Sequence, residues 1–281
     1  MIAGLPDLVI EPLVLAALAE DLGRAGDLTS AACLPAEARM AAAFVARGKG
    51  VVAGLACARL AVAAMDPAAR FETALADGDA VVAGAVLANV EANARALLGA
   101  ERVALNLLGR LGGIATLTAR HAEAVAGTGA RIVDTRKTTP LLRTLEKYAV
   151  RCGGGANHRF GLDDAILIKD NHVAACGGVG EAIRRARGAV GHLVAIEVEV
   201  DSLDQLGEAL EHSPDVVMLD NFDLEALRAA VAMAAGRVTL EASGGVTLAT
   251  VRAIAQTGVD LISVGALTHS APVLDIGLDA R

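Results

Sequence analysis

Hydrophobic and polar positions follow two regimes along this chain. Up to about residue 126 the spacing is mixed. Leu15, Leu18 and Leu22 line one side of a helix predicted over residues 11–22, with Pro12 in its first turn and Gly23 and Gly26 ending it. Strand-like runs at 40–47 and 51–55 flank the turn Gly48-Lys49-Gly50, and an alanine-rich helix is expected to follow as far as Met65. Further strands are predicted at 71–75 and 86–91, with Asp77-Gly78 turning between them. Residues 94–110 read as a helix that Gly112-Gly113 breaks, with a second helix to about residue 126. This first part is an α+β unit.

From residue 131 the chain changes to short β-rich runs, several followed by helical stretches, which predicts a parallel sheet, closed or open. The predicted strands are 131–135, 165–170, 194–200, 216–220, 238–242 and 261–265. Their C-terminal ends repeatedly carry polar or charged residues. In a β/α barrel that end carries the active site. Eight full units usually need about 250 residues, so a compact barrel with fewer strands is expected.

With 281 residues, 54% hydrophobic and 21% charged, the chain has material for a sizeable core, and disorder is excluded. Asp7 and Glu11 precede the first basic residue, Arg24, so no basic signal-peptide region is read; with no apolar run long enough to span a bilayer, a soluble cytoplasmic protein is expected and no membrane partner. Cys33, Cys57, Cys152 and Cys176 are too far apart for paired metal ligation and are expected to be reduced. A net charge of −8 and 2% aromatic residues argue against nucleic acid as a partner. Yet residues 131–169 hold eight Lys or Arg against four Asp or Glu, a local excess of cations suited to a small anionic substrate.

That segment contains the candidate chemistry. Asp134-Thr135-Arg136-Lys137-Thr138-Thr139-Pro140 puts two cations at a strand end, although surface Arg-Lys pairs are often merely solvated. Gly153-Gly154-Gly155-Ala156-Asn157-His158-Arg159 is a glycine-rich run closing on two potential cations, a cradle for carboxylate or phosphate or a plain loop. Lys169 ends an apolar strand and could be a Schiff-base lysine, an anion ligand or the partner of Asp170. The period of two places Glu197, Glu199 and Asp201 on one face, and Asp220 closes the next strand. These carboxylates would form ion pairs or hold a hard cation such as magnesium. Ser243-Gly244-Gly245 and Val264-Gly265-Ala266 sit where late barrel strands bind phosphate through backbone amides.

Taken in order, Glu20-Asp21-Leu22-Gly23, Glu101-Arg102-Val103-Ala104-Leu105-Asn106, Gly113-Ile114-Ala115-Thr116, residues 134–140, 153–159, 168–172, 197–201 and 219–221, and the two glycine runs make the chain similar to quinolinate phosphoribosyltransferases over nearly its whole length. The resemblance implies an α/β fold: an N-terminal α/β open-faced sandwich, residues 1–112 with 271–281 packing on it, and an incomplete seven-stranded β/α barrel of the type II phosphoribosyltransferase kind over 113–270. It implies a homodimer with shared active sites, magnesium as cofactor, and transfer of phosphoribose from phosphoribosyl pyrophosphate to quinolinate with decarboxylation. Arg102 would enter the neighbouring subunit's site and, with Arg136, His158, Arg159 and Lys169, surround the dicarboxylate, and Thr135 would be a further substrate-binding residue. Lys137 and Lys169 would face the sugar phosphate, and Glu199 and Asp220 its ribose and magnesium. Ser243, Gly244, Gly245, Val264, Gly265 and Ala266 would take the 5′-phosphate. Leu141 stands where the family usually has glycine, and Gly112 where it usually has serine. Three alternatives are weighed against this reading: a related transferase acting on another base, a Schiff-base lyase, and a non-catalytic sugar-phosphate binding module.

Overall fold

The computed structural model describes residues 3–281. Its elements run α1 (Asp7–Leu22), α2 (Leu28–Cys33), β1 (Arg39–Ala46), β2 (Gly50–Val51), α3 (Leu55–Met65), β3 (Arg70–Thr73), β4 (Ala80–Val81), β5 (Val86–Asn93) and α4 (Ala94–Ala124). Then follow β6 (Arg131–Val133), α5 (Arg143–Cys152), β7 (Ile166–Ile168), α6 (Asp170–Cys176), α7 (Val179–Ala189), β8 (Ile196–Val200) and α8 (Leu203–Glu211). The chain closes with β9 (Val216–Asp220), α9 (Leu224–Ala234), β10 (Thr239–Ser243), α10 (Val251–Ala255), β11 (Leu261–Ser263), α11 (Ala266–His269) and β12 (Ile276–Ala280). Two compact units result. One comprises the described residues through Ala119 with Thr138–Gly154 and Leu267–Arg281; the other comprises Arg120–Lys137 and Gly155–Ala266.

The first unit is built on an antiparallel sheet ordered β12-β1-β5-β3. Ala42, Ala43, Phe44 and Ala46 on β1 are buried, as are Leu87, Ala88, Val90 and Ala92 on β5. In the same unit α1 lies on α3. Helix α1 begins at Asp7, earlier than the pattern predicts, and carries Pro12 inside it. Its buried stripe, Ile10, Val14 and Leu18, starts before the proline, and packing of that stripe outweighs one missing backbone hydrogen bond. The strand predicted over 51–55 is cut to β2, because Gly54 (φ +99°) turns the chain straight into α3.

A larger departure is α4, one continuous helix where a break at Gly112-Gly113 was expected. The glycines are there for space. A Cβ on Gly113 would stand 2.0 Å from the Pro272 carbonyl oxygen, and one on Gly112 would stand 2.9 Å from Leu274 Cδ2. Close backbone approach is thus the reason for the pair, and local propensity yields to it.

The second unit holds a parallel sheet ordered β6-β11-β10-β9-β8-β7, with each predicted strand present to within two or three residues at its ends. Beyond β6 the sheet continues as a single parallel bridge between Val133 and Ala156. The glycine run before Ala156 cannot support more pairing. Ile196, Val198, Val217, Leu219, Leu240 and Ile262 form the buried centre of this sheet. Among the described residues no helix is long and apolar enough to cross a membrane.

Candidate active site

The candidate polar groups of the second unit lie inside its strands, at their C-terminal ends, or on the loop that follows the Val133–Ala156 bridge. The sheet is parallel, so these ends share one edge, and α6 and α8 begin directly after β7 and β8. Asp134, fully buried, follows β6. Its Oδ1 accepts the His158 backbone N–H at 2.9 Å and its Oδ2 accepts from Asn157 Nδ2 at 2.6 Å. One carboxylate therefore fixes the loop that carries His158 and Arg159.

His158 is engaged at both ring nitrogens. Nδ1 accepts the Arg159 backbone N–H at 2.8 Å, so it carries no proton, and Nε2–H donates to Glu197 Oε2 at 2.7 Å. The ring thereby supports the loop at the Arg159 backbone while Glu197 holds its other edge. The Arg159 guanidinium donates from Nη1 to the Ala165 carbonyl at 3.0 Å, and its Nε is buried without a hydrogen-bond partner. Burial, reinforced by the nearby charge of Arg136, lowers the Arg159 pKa against the opposing charges of Glu197 and Asp164. Two guanidinium charges that act on each other could together receive a dianion.

Lys169 Nζ lies 2.7 Å from Glu199 Oε2. Glu199, not the adjacent Asp170, is its partner, because β7 and β8 run side by side in parallel while Asp170 turns into α6. The His172 ring accepts the Lys169 backbone N–H at 3.0 Å and fixes that turn. The lysine side chain is 46% exposed, the opposite of the desolvated pocket that a Schiff-base lysine needs.

Asp220, at the end of β9, has its pKa raised by burial and by the charge of Glu199, while Asn221, Lys169 and Lys137 act in the other direction. The site thus gathers Lys137, Lys169, Glu199 and Asp220 within electrostatic reach. Two partly buried carboxylates with mutual repulsion form an oxygen donor set suited to a hard divalent cation.

Asn221 Nδ2 donates to Asp220 Oδ2 at 2.7 Å, and the Asn221 backbone N–H donates to the Ser243 carbonyl at 2.9 Å. Asn221 has φ +57°, a conformation that asparagine tolerates. Gly244 follows at φ +100°, where a Cβ would be 2.1 Å from Asn221 Oδ1, and Gly245 at φ +58° faces open space. Val264 is buried, and Gly265 and Ala266 are half-buried after β11. Thr135 Oγ1 accepts the Lys137 backbone N–H at 3.0 Å, shaping the loop after β6. Arg102 is exposed on α4, in the other unit.

The sequence pattern left Glu241 unremarked and placed Glu197 on one face with Glu199, the resemblance assigning a role only to Glu199. Glu241 and Glu197 are both buried, at 1% and 6% exposure, and each has one oxygen without a hydrogen-bond partner. Their donor atoms and that of His158 lie within 4.8 Å of one another. The signal was present in Leu240-Glu241-Ala242, a lone acid inside an apolar strand.

Comparison with known proteins completes the description. Residues 27–112 match the N-terminal domain model of quinolinate phosphoribosyl transferase, and residues 114–279 match the C-terminal one. A probable nicotinate-nucleotide pyrophosphorylase (carboxylating) of Bacillus subtilis is 46% identical over 260 residues, covering 92% of this chain and 89% of that protein. The nicotinate-nucleotide pyrophosphorylase (carboxylating) of Mycobacterium leprae is 47% identical over 268 residues, covering 94% of each. The solved structure of the nicotinate-nucleotide pyrophosphorylase from Francisella tularensis is similar with a TM-score of 0.95 at 37% identity, covering 100% of this chain and 99% of that one.

Proposed function

The chain belongs to the quinolinate phosphoribosyltransferase family, and from that membership we infer how its own residues perform the reaction of a carboxylating nicotinate-nucleotide pyrophosphorylase in NAD biosynthesis. The reaction joins quinolinate to phosphoribosyl pyrophosphate and yields nicotinate mononucleotide, pyrophosphate and carbon dioxide.

The reading of the site rests on one observation: Lys169 Nζ lies 2.7 Å from Glu199 Oε2 at the neighbouring ends of β7 and β8, with Asp220 ending the adjacent β9. A dianionic ring and a polyphosphorylated sugar need such a division of charge. Arg136 and Arg159 would bind the two carboxylates, helped by Lys169 and by Arg102 from a second copy in a homodimer, with the Thr135 hydroxyl shaping the loop beneath. His158 would hold Arg159 in place. Lys137 and Lys169 would face the sugar phosphate, and the glycine turns, Ser243 to Gly245 and Val264 to Ala266, would receive the 5′-phosphate through backbone amides.

Glu199 and Asp220 would hold a magnesium ion, which supplies the charge neutralisation that a leaving pyrophosphate requires. Lys137 would share that task while positive charge builds on C1′, a distribution also met in glycoside chemistry. The pyridine nitrogen then attacks C1′ and becomes cationic. Its charge stabilises the electron pair left on the ring when the adjacent carboxylate departs as carbon dioxide, and a proton from solvent replaces it. No decarboxylation cofactor is needed. A cytoplasmic location fits this soluble-substrate chemistry.

Protein mixed with quinolinate, phosphoribosyl pyrophosphate and magnesium should release carbon dioxide and nicotinate mononucleotide in equal amounts, and chelation should stop both. Absence of product under these conditions would overturn the reading.

A further inference from the structure

Three side chains of the parallel-sheet unit, His158, Glu197 and Glu241, form a polar cluster with both carboxyls buried, and Asp134, also buried, holds the His158 backbone N–H. The reaction as described gives Glu241 no part. It points from the middle of β10, its Oε2 is 3.8 Å from His158 Nε2, and its Oε1 meets no donor. A carboxyl in such a place is costly unless something depends on it.

We propose that Glu241 is a positioning residue: with Glu197 it flanks the His158 imidazole and fixes its tautomer, and the imidazole holds the Arg159 backbone from which the guanidinium reaches the pyridine dicarboxylate. This rests on the functional reading given above.

The Arg159 backbone N–H points at His158 Nδ1, a contact that only an unprotonated Nδ1 can accept. Nε2 must then carry the proton, and Glu197 Oε2 receives it. A single negative charge beside Nε2 holds that tautomer. Two charges would draw a second proton onto the ring, and Nδ1–H would then collide with the Arg159 N–H. Glu241 therefore has to stay protonated around neutrality, next to Glu197 without adding to its charge. Its surroundings favour this. Burial first and the Glu197 charge second raise Glu241 to about 7, with Asp134 acting in the same direction and a contact with Ser263 on β11 against it, even under the opposing charge of a protonated His158, a pull that a neutral ring does not exert. The Glu197 charge in turn acts on Arg159, raising its pKa against burial.

The test is nitrogen-15 NMR of the full chain labelled at its six histidines, with H158Q used to assign the His158 signals. At about pH 6.5 the wild type should show an unprotonated Nδ1 and a protonated Nε2, and the signals should move as pH rises through the neutral range; E241Q should keep the pattern without moving. In kinetics, E241L should raise the KM for quinolinate about tenfold or more while the KM for phosphoribosyl pyrophosphate changes less than about twofold, and E241Q should recover most of the loss. An imidazolium in the wild type, an unchanged quinolinate KM in E241L, or the same pH response in E241Q and wild type would each overturn the proposal. So would zinc binding that displaces the Nε2 proton and disappears in E241Q, since that would make the cluster a metal site. If E241L does not fold, the comparison of E241Q with wild type decides alone. The NMR measurement needs no turnover, so a protein inactive on quinolinate would refute the functional reading while leaving the tautomer test intact.

Discussion

Lys169 and Glu199 meet across neighbouring parallel strands, Nζ to Oε2 at 2.7 Å, with the lysine side chain half in solvent. Exposed pairs of this kind contribute about 0–1 kcal/mol to folding, because water screens the attraction and two long side chains lose freedom. Both residues are proposed to touch substrate or metal. K169A and E199Q should therefore melt within a few degrees of the wild type while kcat/KM falls about 100-fold or more. Thermal denaturation and steady-state kinetics on the same preparations check this, and a large loss of stability with retained activity would reverse the assignment.

Arg159 presents a different balance, since its guanidinium is partly buried and already has a depressed pKa through desolvation and Arg136. Removing it relieves repulsion in the empty protein and removes a charge-assisted contact in the complex. R159A should fold normally, and R136A likewise, while each loses about 2–4 kcal/mol of transition-state stabilisation. R159K should recover little, because a point charge cannot reproduce a bidentate fork. Activity of R159A within about threefold of wild type would remove the dicarboxylate role.

Much of this site was legible in the sequence because parallel β/α architecture converts strand endings into neighbours. Once the runs 165–170, 194–200, 216–220 and 238–242 are read as parallel strands, the polar residues at their ends, Lys169, Glu199, Asp220 and Ser243, must share one edge. What stayed hidden depended on contacts between distant residues. Nothing local in Gly112-Gly113 reveals that Pro272 and Leu274 lie against them, so a helix break was the natural expectation. The pairing of Glu197 with His158 was equally invisible, since periodicity placed Glu197 and Glu199 on one face without saying which cation each would meet.

Leu141 follows Pro140 with φ +69° and is 85% exposed. A leucine in the left-handed region costs roughly 1–2 kcal/mol, and here no burial of the side chain offsets it. L141G removes that strain but gives the unfolded chain more freedom, worth about 0.5–1 kcal/mol in the other direction. A net gain of about 0.5–1 kcal/mol is expected by chemical denaturation. A loss of stability would mean that the leucine makes a contact beyond this chain. By contrast, G112S should be destabilising by about 1 kcal/mol or more, because its Cβ would press on Leu274 and the Val51 carbonyl.

Glu241 makes the stability of this protein depend on pH in a predictable sense. Burial and Glu197 raise its pKa from 4.5 to about 7, so the folded state keeps a proton that the unfolded state has released throughout the interval between those values. The folded state binds more protons there, and stability falls as pH rises, by at most about 1.4 kcal/mol per pH unit from this group. Below the unfolded pKa the effect vanishes, and above the folded pKa the full penalty persists. E241Q cannot ionise and escapes it. The difference in unfolding free energy between E241Q and wild type should therefore move in the variant's favour between about pH 5 and about pH 8, by about 1–3 kcal/mol. Taking the difference between the two proteins cancels the titration of groups common to both, so the change with pH isolates the buried carboxyl. A difference that stays constant across that interval would mean that Glu241 is ionised in the folded protein throughout, with its charge neutralised by a neighbour.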